Sequence, residues 1–240
     1  MKSVLINYAD RRFYRAQRLN QRTGREIGGF DRAISWRRQH LDSEFRNHNR
    51  LILDMDRGAG YWLWKPYITV MTLRNEMSAG DILFYCDSGS QFVASVAPLI
   101  ELCCARPAKP MLFFTLEDFH TNRRWTKRDC FYYMDMDSPP YIDFPQIAAS
   151  YFICRKSEIS VAFFEAWLRY AQDPRILTDS PNQCGLPNYP EFVEHRHDQS
   201  ILSLLVRKHD MPTLADISQW GNDRRPPTIG QIIDLTRWSE

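Results

Sequence analysis

The residues best placed to do chemistry lie in Gly80-Asp-Ile-Leu-Phe-Tyr-Cys-Asp87-Ser-Gly-Ser90. Ile82 to Cys86 is an uninterrupted apolar run, which reads as a buried strand. It ends on a carboxylate, and a small, flexible turn follows. Open α/β sheets bind their ligands at the carboxyl ends of central strands. An ionised Asp87 there can hold a ribose hydroxyl or a metal–diphosphate. The same residues also make an ordinary Asp-Ser-Gly turn.

Four further groups carry comparable potential. Asn7-Tyr8-Ala9-Asp10 ends the first apolar run. A Tyr there can stack on a base and an Asp can accept from a base or ribose, although Asp10 would equally serve as a helix N-cap. Gly60-Tyr-Trp-Leu-Trp64-Lys65-Pro66 sets two indoles and a lysine ahead of a helix start, a combination suited to an anion such as a diphosphate. Arg123-Arg-Trp125-Thr-Lys127-Arg128-Asp129 interleaves cations with an indole, for phosphate contact and sugar stacking or as a solvated charge run. His195-Arg-His197-Asp198-Gln199-Ser200 opens a helix. Asp198 there can act as general base on a hydroxyl, either histidine can meet a metal or phosphate, and Asp198 also complements the helix dipole.

Arg11, Arg15, Arg18, Arg22 and Arg25 recur at spacings of four, three, four and three, which puts them on one helical stripe. Such a stripe can meet anionic lipid or a polyanionic acceptor; a solvated face is the plainer reading. Asp54/Asp56 and Asp135/Asp137 form two D-x-D pairs. The second follows an aromatic run and imitates a metal-binding Asp-x-Asp, but it ranks below Asp87 because Ser-Pro-Pro follows and the segment lacks an apolar strand pattern. No GxGxxG, Walker, GxSxG or HExxH motif occurs.

These groups need elements to hold them. The pattern predicts strands at Val4–Asn7, Phe30–Trp36, Ile82–Cys86, Met111–Leu116 and Ile147–Cys154. Helices are expected at Asp10–Gln21, His40–Leu53, Pro66–Met77, Phe92–Cys104, Thr126–Tyr133, Glu158–Gln172 and His197–Lys208. Gly58–Gly60 and Asp173–Pro190 read as loops, 117–146 as irregular, and the last 25 or so residues as a surface wrap. Pro66 suits a first helical turn, where its missing N–H costs nothing. Strands alternating with helices imply an α/β fold with a mixed, mostly parallel sheet and helices on both faces.

Composition sets outer bounds. The 240 residues suit one domain, with 44% hydrophobic and 25% charged residues ordinary for a soluble protein. A net charge of +2 argues against a nucleic-acid-binding module. It hides an asymmetry: residues 1–50 hold 12 Lys/Arg against 5 Asp/Glu, a positive end for a phosphate-rich or lipid-headgroup surface. The six cysteines form no CxxC pair and read as reduced packing residues of a cytosolic protein. The start runs directly into a strand, so no secretory leader is expected. The longest apolar run is too short to span a bilayer.

The succession GYWLWKPY, GDILFYCDSGS, WTKRD, QIAASYFICRKS and HRHDQSILSLL resembles bacterial glycosyltransferases of the GT-A type that build O-antigen and capsule. Their corresponding segments read roughly GYWxWKPY, GDxxxYxDAG and HRxDQSxxSLL. The similarity covers about residues 1–210. It implies a GT-A-like fold, with a donor-binding part over about 1–116, an acceptor side over about 117–210 and a C-terminal wrap over 211–240. It implies transfer of a sugar, hexosyl transfer included, from a nucleotide-sugar donor, a UDP-sugar favoured, to a glycan or lipid-linked saccharide. The setting implied is surface polysaccharide synthesis in the cytoplasm, at the inner face of the membrane, with the Arg11, Arg15, Arg18 and Arg22 stripe against anionic lipid.

By position, Asn7, Tyr8, Asp10, Trp64, Lys65, Ser88, Lys127 and Arg128 would meet the donor, with Asp87. Trp125, His195, His197, Asp198 and Gln199 would face the acceptor. Asp198 would be the base and Asp87 the second catalytic carboxylate. Asp87 lacks the partner acid of an Asp-x-Asp motif. A divalent cation, Mn²⁺ or Mg²⁺, on Asp87 and neutralisation by Lys65, Lys127 and Arg128 therefore both stay open. A phosphohydrolase with Asp87 as nucleophile and a non-catalytic polyanion-binding module are the competing readings.

Overall fold

The computed structural model describes residues 1–116, 120–222 and 229–236. Six strands form one sheet: β1 (Ser3–Tyr8), β2 (Arg32–Trp36), β3 (Ile82–Cys86), β5 (Met111–Thr115), β6 (Tyr151–Arg155) and β7 (Thr213–Ala215), in spatial order β2-β1-β3-β6-β5-β7. β1 runs parallel to both β2 and β3, and β5 parallel to β7. β6 is antiparallel to both of its neighbours, β3 and β5. A two-stranded ribbon pairs β4 (Gln91–Phe92) with β8 (Ile233–Asp234).

Strands buried on both faces need apolar residues throughout. Alternate residues of β3 accordingly serve two cores. Leu83 and Tyr85 join Val4, Ile6, Phe113 and Phe152 beneath α2 (Trp64–Asn75), α4 (Glu158–Ala171) and α5 (Asp198–Lys208). Ile82 and Phe84 join Leu5, Phe92, Leu112 and Ile153 on the opposite face. That second face carries α3 (Ala97–Cys104) and the close approach of Gly24 and Gly28, at the end of α1 (Tyr14–Thr23), to Leu5, Phe30 and Phe92. Helices thus cover both faces, as the sequence pattern implies.

Several element boundaries move. The helix expected over His40–Leu53 is two short ones, Ser43–His48 and Arg50–Leu53, the first capped by Asp42. Asn49 breaks the run, and its amide donates to Gln172, the C-cap of α4. The Phe92–Cys104 helix begins only at Ala97, because Gln91 and Phe92 are claimed by β8. The Ile147–Cys154 strand starts at Tyr151, with only an isolated bridge from Ile147 to Thr115 before it. Pro174–Leu177 inserts a helical turn into the 173–190 loop. The C-terminal wrap contributes more than cover: β7 extends the sheet and β8 completes the ribbon. All six cysteines are free. Among the described residues no helix is long and apolar enough to cross a membrane.

Candidate active site

The parallel pairing of β1 and β3 brings their carboxyl ends side by side. A cavity of about 510 Å³ opens there. Tyr8 and Asp10 reach it from β1, Asp87 and the Ser88–Ser90 turn from β3, and Ala59, Trp62 and Trp64 from the segment leading into α2. That segment is unusual: from Gly58 to Trp62, five successive residues have φ between 50° and 99°. Three of the five are not glycine, and the left-handed region is costly for them. The turn is held by its surroundings. Trp64 Nε1 donates to the Gly58 carbonyl at 3.0 Å, and Arg57 is ion-paired to Asp179 (3.2 Å) and Glu194 (3.6 Å). The Trp62 ring stacks against His197. In return the turn presents Trp64 flat against Tyr8, ring centroids 4.0 Å apart. Burial pushes the Tyr8 phenol up to about 12, so it stays protonated at neutral pH.

Behind the cavity lies a buried charge cluster. The Lys65 ammonium has three oxygen neighbours: Asp198 Oδ2 at 2.9 Å, the Ala149 carbonyl at 3.0 Å and Asp87 Oδ1 at 3.5 Å. Burial by itself would lower the affinity of Lys65 for its proton, but Asp198 and Asp87 outweigh it and hold the ammonium above the usual lysine range. Burial raises Asp198 to about 6, against the pull of Lys65. Asp87 differs from its partners. Its side chain is 34% exposed and faces the cavity, with Oδ1 also accepting from the Tyr85 hydroxyl.

The structure redistributes the residues expected for the donor. Tyr8, Asp10, Trp64, Asp87 and Ser88 line the cavity. Lys65 does not; its contacts are the oxygens behind it. Asn7 is fully buried, donating to Asn20 (2.7 Å) and accepting from Gln17 (3.0 Å). Asn20 in turn donates to the Ser90 carbonyl at 2.9 Å, so this amide chain fixes the turn after Asp87, and Asn7 itself does not line the cavity. Asp10 caps the short 3₁₀ turn Arg11–Phe13 and pairs with Arg12 at 2.7 Å. Lys127 is 3% exposed and donates to the Thr178 and Ser180 carbonyls. Arg128 pairs with Asp137 at 2.8 Å and lies over the Tyr189 ring. Both cations pin the 173–190 loop and lie outside the cavity.

The acceptor group also divides. A second cavity of about 430 Å³ shares Ser150 and Leu235 with the first. Trp125 and Gln199 line it, with Tyr151, Arg196, Asp216 and Trp220. Arg196 lies 4.4 Å over the Trp125 ring. Gln199 spends its N–H on Gln146 Oε1 at 2.8 Å, and Gln146 is itself held by Asn122 and Thr126. His195 and His197 are each 2% exposed and bond the carbonyls of Ile176 and Leu177. Burial lowers the proton affinity of both, well below the usual range for His195. They are neutral ties between the 173–179 segment and α5, not acceptor contacts. Asp198, 4% exposed, lines neither cavity. Trp62, Ser150, Asp216 and Trp220 were not anticipated. Trp62 had a signal, lying inside the indole cluster, and Ser150 lies within the QIAASYFICRKS segment, whereas Asp216 sits in a stretch with no distinguishing pattern.

The residues do not fit a resident divalent cation. Such ions want several hard oxygens around an open position. Among the described residues no three His, Cys, Asp or Glu side chains converge. Asp87 Oδ1 already faces the Tyr85 hydroxyl and the Lys65 ammonium. The Arg stripe behaves as its spacing implies. Arg11, Arg15, Arg18, Arg22 and Arg25 are all exposed, opposite the buried Gln17, Asn20 and Thr23 of α1.

No family model and no curated protein matches the chain. Among solved structures it is similar to the apo form of mouse xyloside xylosyltransferase 1. The identity is 9%, the match covers 98% of this chain and 96% of that one, and the TM-score is 0.53. Together with the mixed sheet and its flanking helices, this likeness shows a GT-A-like fold.

Proposed function

We propose that the chain transfers a sugar from a nucleotide-sugar donor, a UDP-sugar favoured, to a saccharide acceptor, a free glycan or a lipid-linked one. The carrying observation is a pair of cavities that share Ser150 and Leu235, one at the carboxyl ends of β1 and β3 beside Asp87 and the other lined by Trp125. Transfer needs two substrates held against each other, and orientation supplies much of the rate.

In this reading the residues take the following roles. Tyr8, Trp64 and Asp10 receive the nucleoside. The N–H groups of Ser88 and Gly89, which bond no other described group, lie beside the diphosphate with Arg12. Asp87 is the reacting carboxylate, placed to contact the transferred sugar and to take the acceptor proton. Lys65 and Asp198 position it from behind. Trp125 stacks the acceptor sugar and Gln199 contributes its carbonyl oxygen. No step is routed through a metal.

The finer setting is surface polysaccharide synthesis of the O-antigen or capsule kind, at the cytoplasmic face of a membrane. The motif resemblance supports it, and the unpaired arginines of α1 supply the lipid-facing surface. Calorimetric titration with UDP-, GDP-, CMP- and dTDP-sugars tests the donor reading. One nucleotide class is expected to bind, with affinity reduced at least tenfold by Trp64→Ala. Failure of all four to bind would overturn it.

A further inference from the structure

We infer that the Lys65 ammonium is the resident cation of this site. It occupies the position between Asp87 and Asp198 that a divalent ion would otherwise need. The inference deepens the donor-site reading above and rests on it for its second test only.

Three oxygens converge on Lys65 Nζ: Asp198 Oδ2 at 2.9 Å, the Ala149 carbonyl at 3.0 Å and Asp87 Oδ1 at 3.5 Å. Two carboxylates and a carbonyl are the hard donors that Mg²⁺, Mn²⁺ and Ca²⁺ prefer. Here an ammonium, with donors and no acceptor, occupies their meeting point, hydrogen-bonded to the Ala149 carbonyl and ion-paired to both carboxylates. Access reinforces the assignment. Lys65 is 3% exposed, closed in by the Tyr85 ring at 5.2 Å and the Trp64 ring at 5.9 Å. An ion entering from the cavity would reach Asp87 and meet a fixed positive charge behind it.

The same placement explains how one carboxylate can sit in a site for a diphosphate. An unpaired Asp87 would repel the donor. Paired with Lys65, its charge is offset from the buried side, while its exposed side stays open for chemistry. A lysine held this way needs no recruitment from solution, so donor affinity should not depend on free divalent ions.

Two independent titrations test this. Mn²⁺ alone is titrated into the free protein and into Lys65→Ala, with Lys65→Met as the variant that keeps the stem volume. The wild type is expected to show no binding below about 1 mM, and the Lys65 variants are expected to acquire a Mn²⁺ site that is lost again on adding Asp198→Asn. Wild-type Mn²⁺ binding abolished by Asp87→Asn would overturn the inference. So would folded Lys65 variants that bind no Mn²⁺. The second titration follows UDP binding to the wild type in EDTA and in excess Mn²⁺. Equal affinities support the inference, and a tenfold or greater gain with Mn²⁺ refutes it even if neither Lys65 variant folds. Absence of any nucleotide binding would count against the donor reading and leave the Mn²⁺ titration to decide the cation.

Discussion

Asp87 and Asp198 are the same residue type on one lysine, and exposure gives them different work. Asp87 opens to the cavity, whereas Asp198 is sealed behind it. Replacing Asp87 with Asn keeps the shape and one acceptor oxygen, so the fold should persist. The proposed reaction should nevertheless slow by roughly 100-fold or more in kcat, the scale of a lost proton acceptor; steady-state kinetics with the preferred donor checks it. Asp198 makes a prediction about stability. Its carboxyl titrates at about 6 in the folded chain, above the ordinary Asp range. Between those limits the folded state holds a proton that the unfolded state has released. Stability from this group is therefore full at low pH and declines as pH rises from about 4 to 6. Asp198→Asn removes that slope. The melting temperature of the wild type minus that of the variant should fall across the same interval, and a flat difference would contradict the assignment.

The left-handed turn before α2 shows what an element must be given by its neighbours. Its non-glycine residues each cost roughly 1–2 kcal/mol in that conformation, and the Arg57 ion pairs, the Trp64 hydrogen bond and the His197 stack hold them there. Gly60 and Gly185 both have positive φ, but only Gly60 is crowded: a Cβ there would lie 2.7 Å from the Leu53 Cα, whereas Gly185 has nothing within 4 Å. Gly60→Ala should therefore cost clearly more in urea denaturation than Gly185→Ala, and should also weaken donor binding through Trp62 and Trp64. Equal costs would mean the turn relaxes freely. The sequence reading was strong where elements are long and their apolar residues run on. β1, β3, α2, α4 and α5 were visible in that way, and with them Tyr8, Trp64 and Asp87, which sit at their ends. Two- and three-residue strands such as β4, β7 and β8 have no period to detect. His195, His197 and Lys127 misled for another reason. Polar residues at a helix start look alike whether solvent or a distant loop covers them, and here the 173–180 segment does so.

At the scale of the molecule, one exposed stripe gathers five arginines. Arginines that pair with acids on the rest of the surface, such as Arg32, Arg38 and Arg74, stand in contrast to the five on the α1 stripe, which pair with none of the described residues. Each basic residue near an anionic surface contributes about 1 kcal/mol, and salt screens it. Wild-type protein should cosediment with vesicles containing anionic phospholipid and not with phosphatidylcholine alone. Changing Arg11, Arg15, Arg18 and Arg22 to Gln should abolish the difference without altering turnover of a soluble acceptor. Unchanged sedimentation of that variant would refute the surface. The stripe continues from the Arg11–Phe13 turn, whose Arg12 and Phe13 line the cavity beside Asp87, so a membrane bound there would lie close to the cavity mouth.

Ser150 and Leu235 belong to both cavities. Adjacent cavities with shared lining residues have a practical consequence for inhibitor design. A single compound carrying a nucleotide-like head and a sugar-like tail, joined by a short spacer over Ser150, need not pay twice for being localised. The second half binds at the effective concentration set by the spacer, which can raise affinity by roughly 10²–10⁴-fold over either half alone.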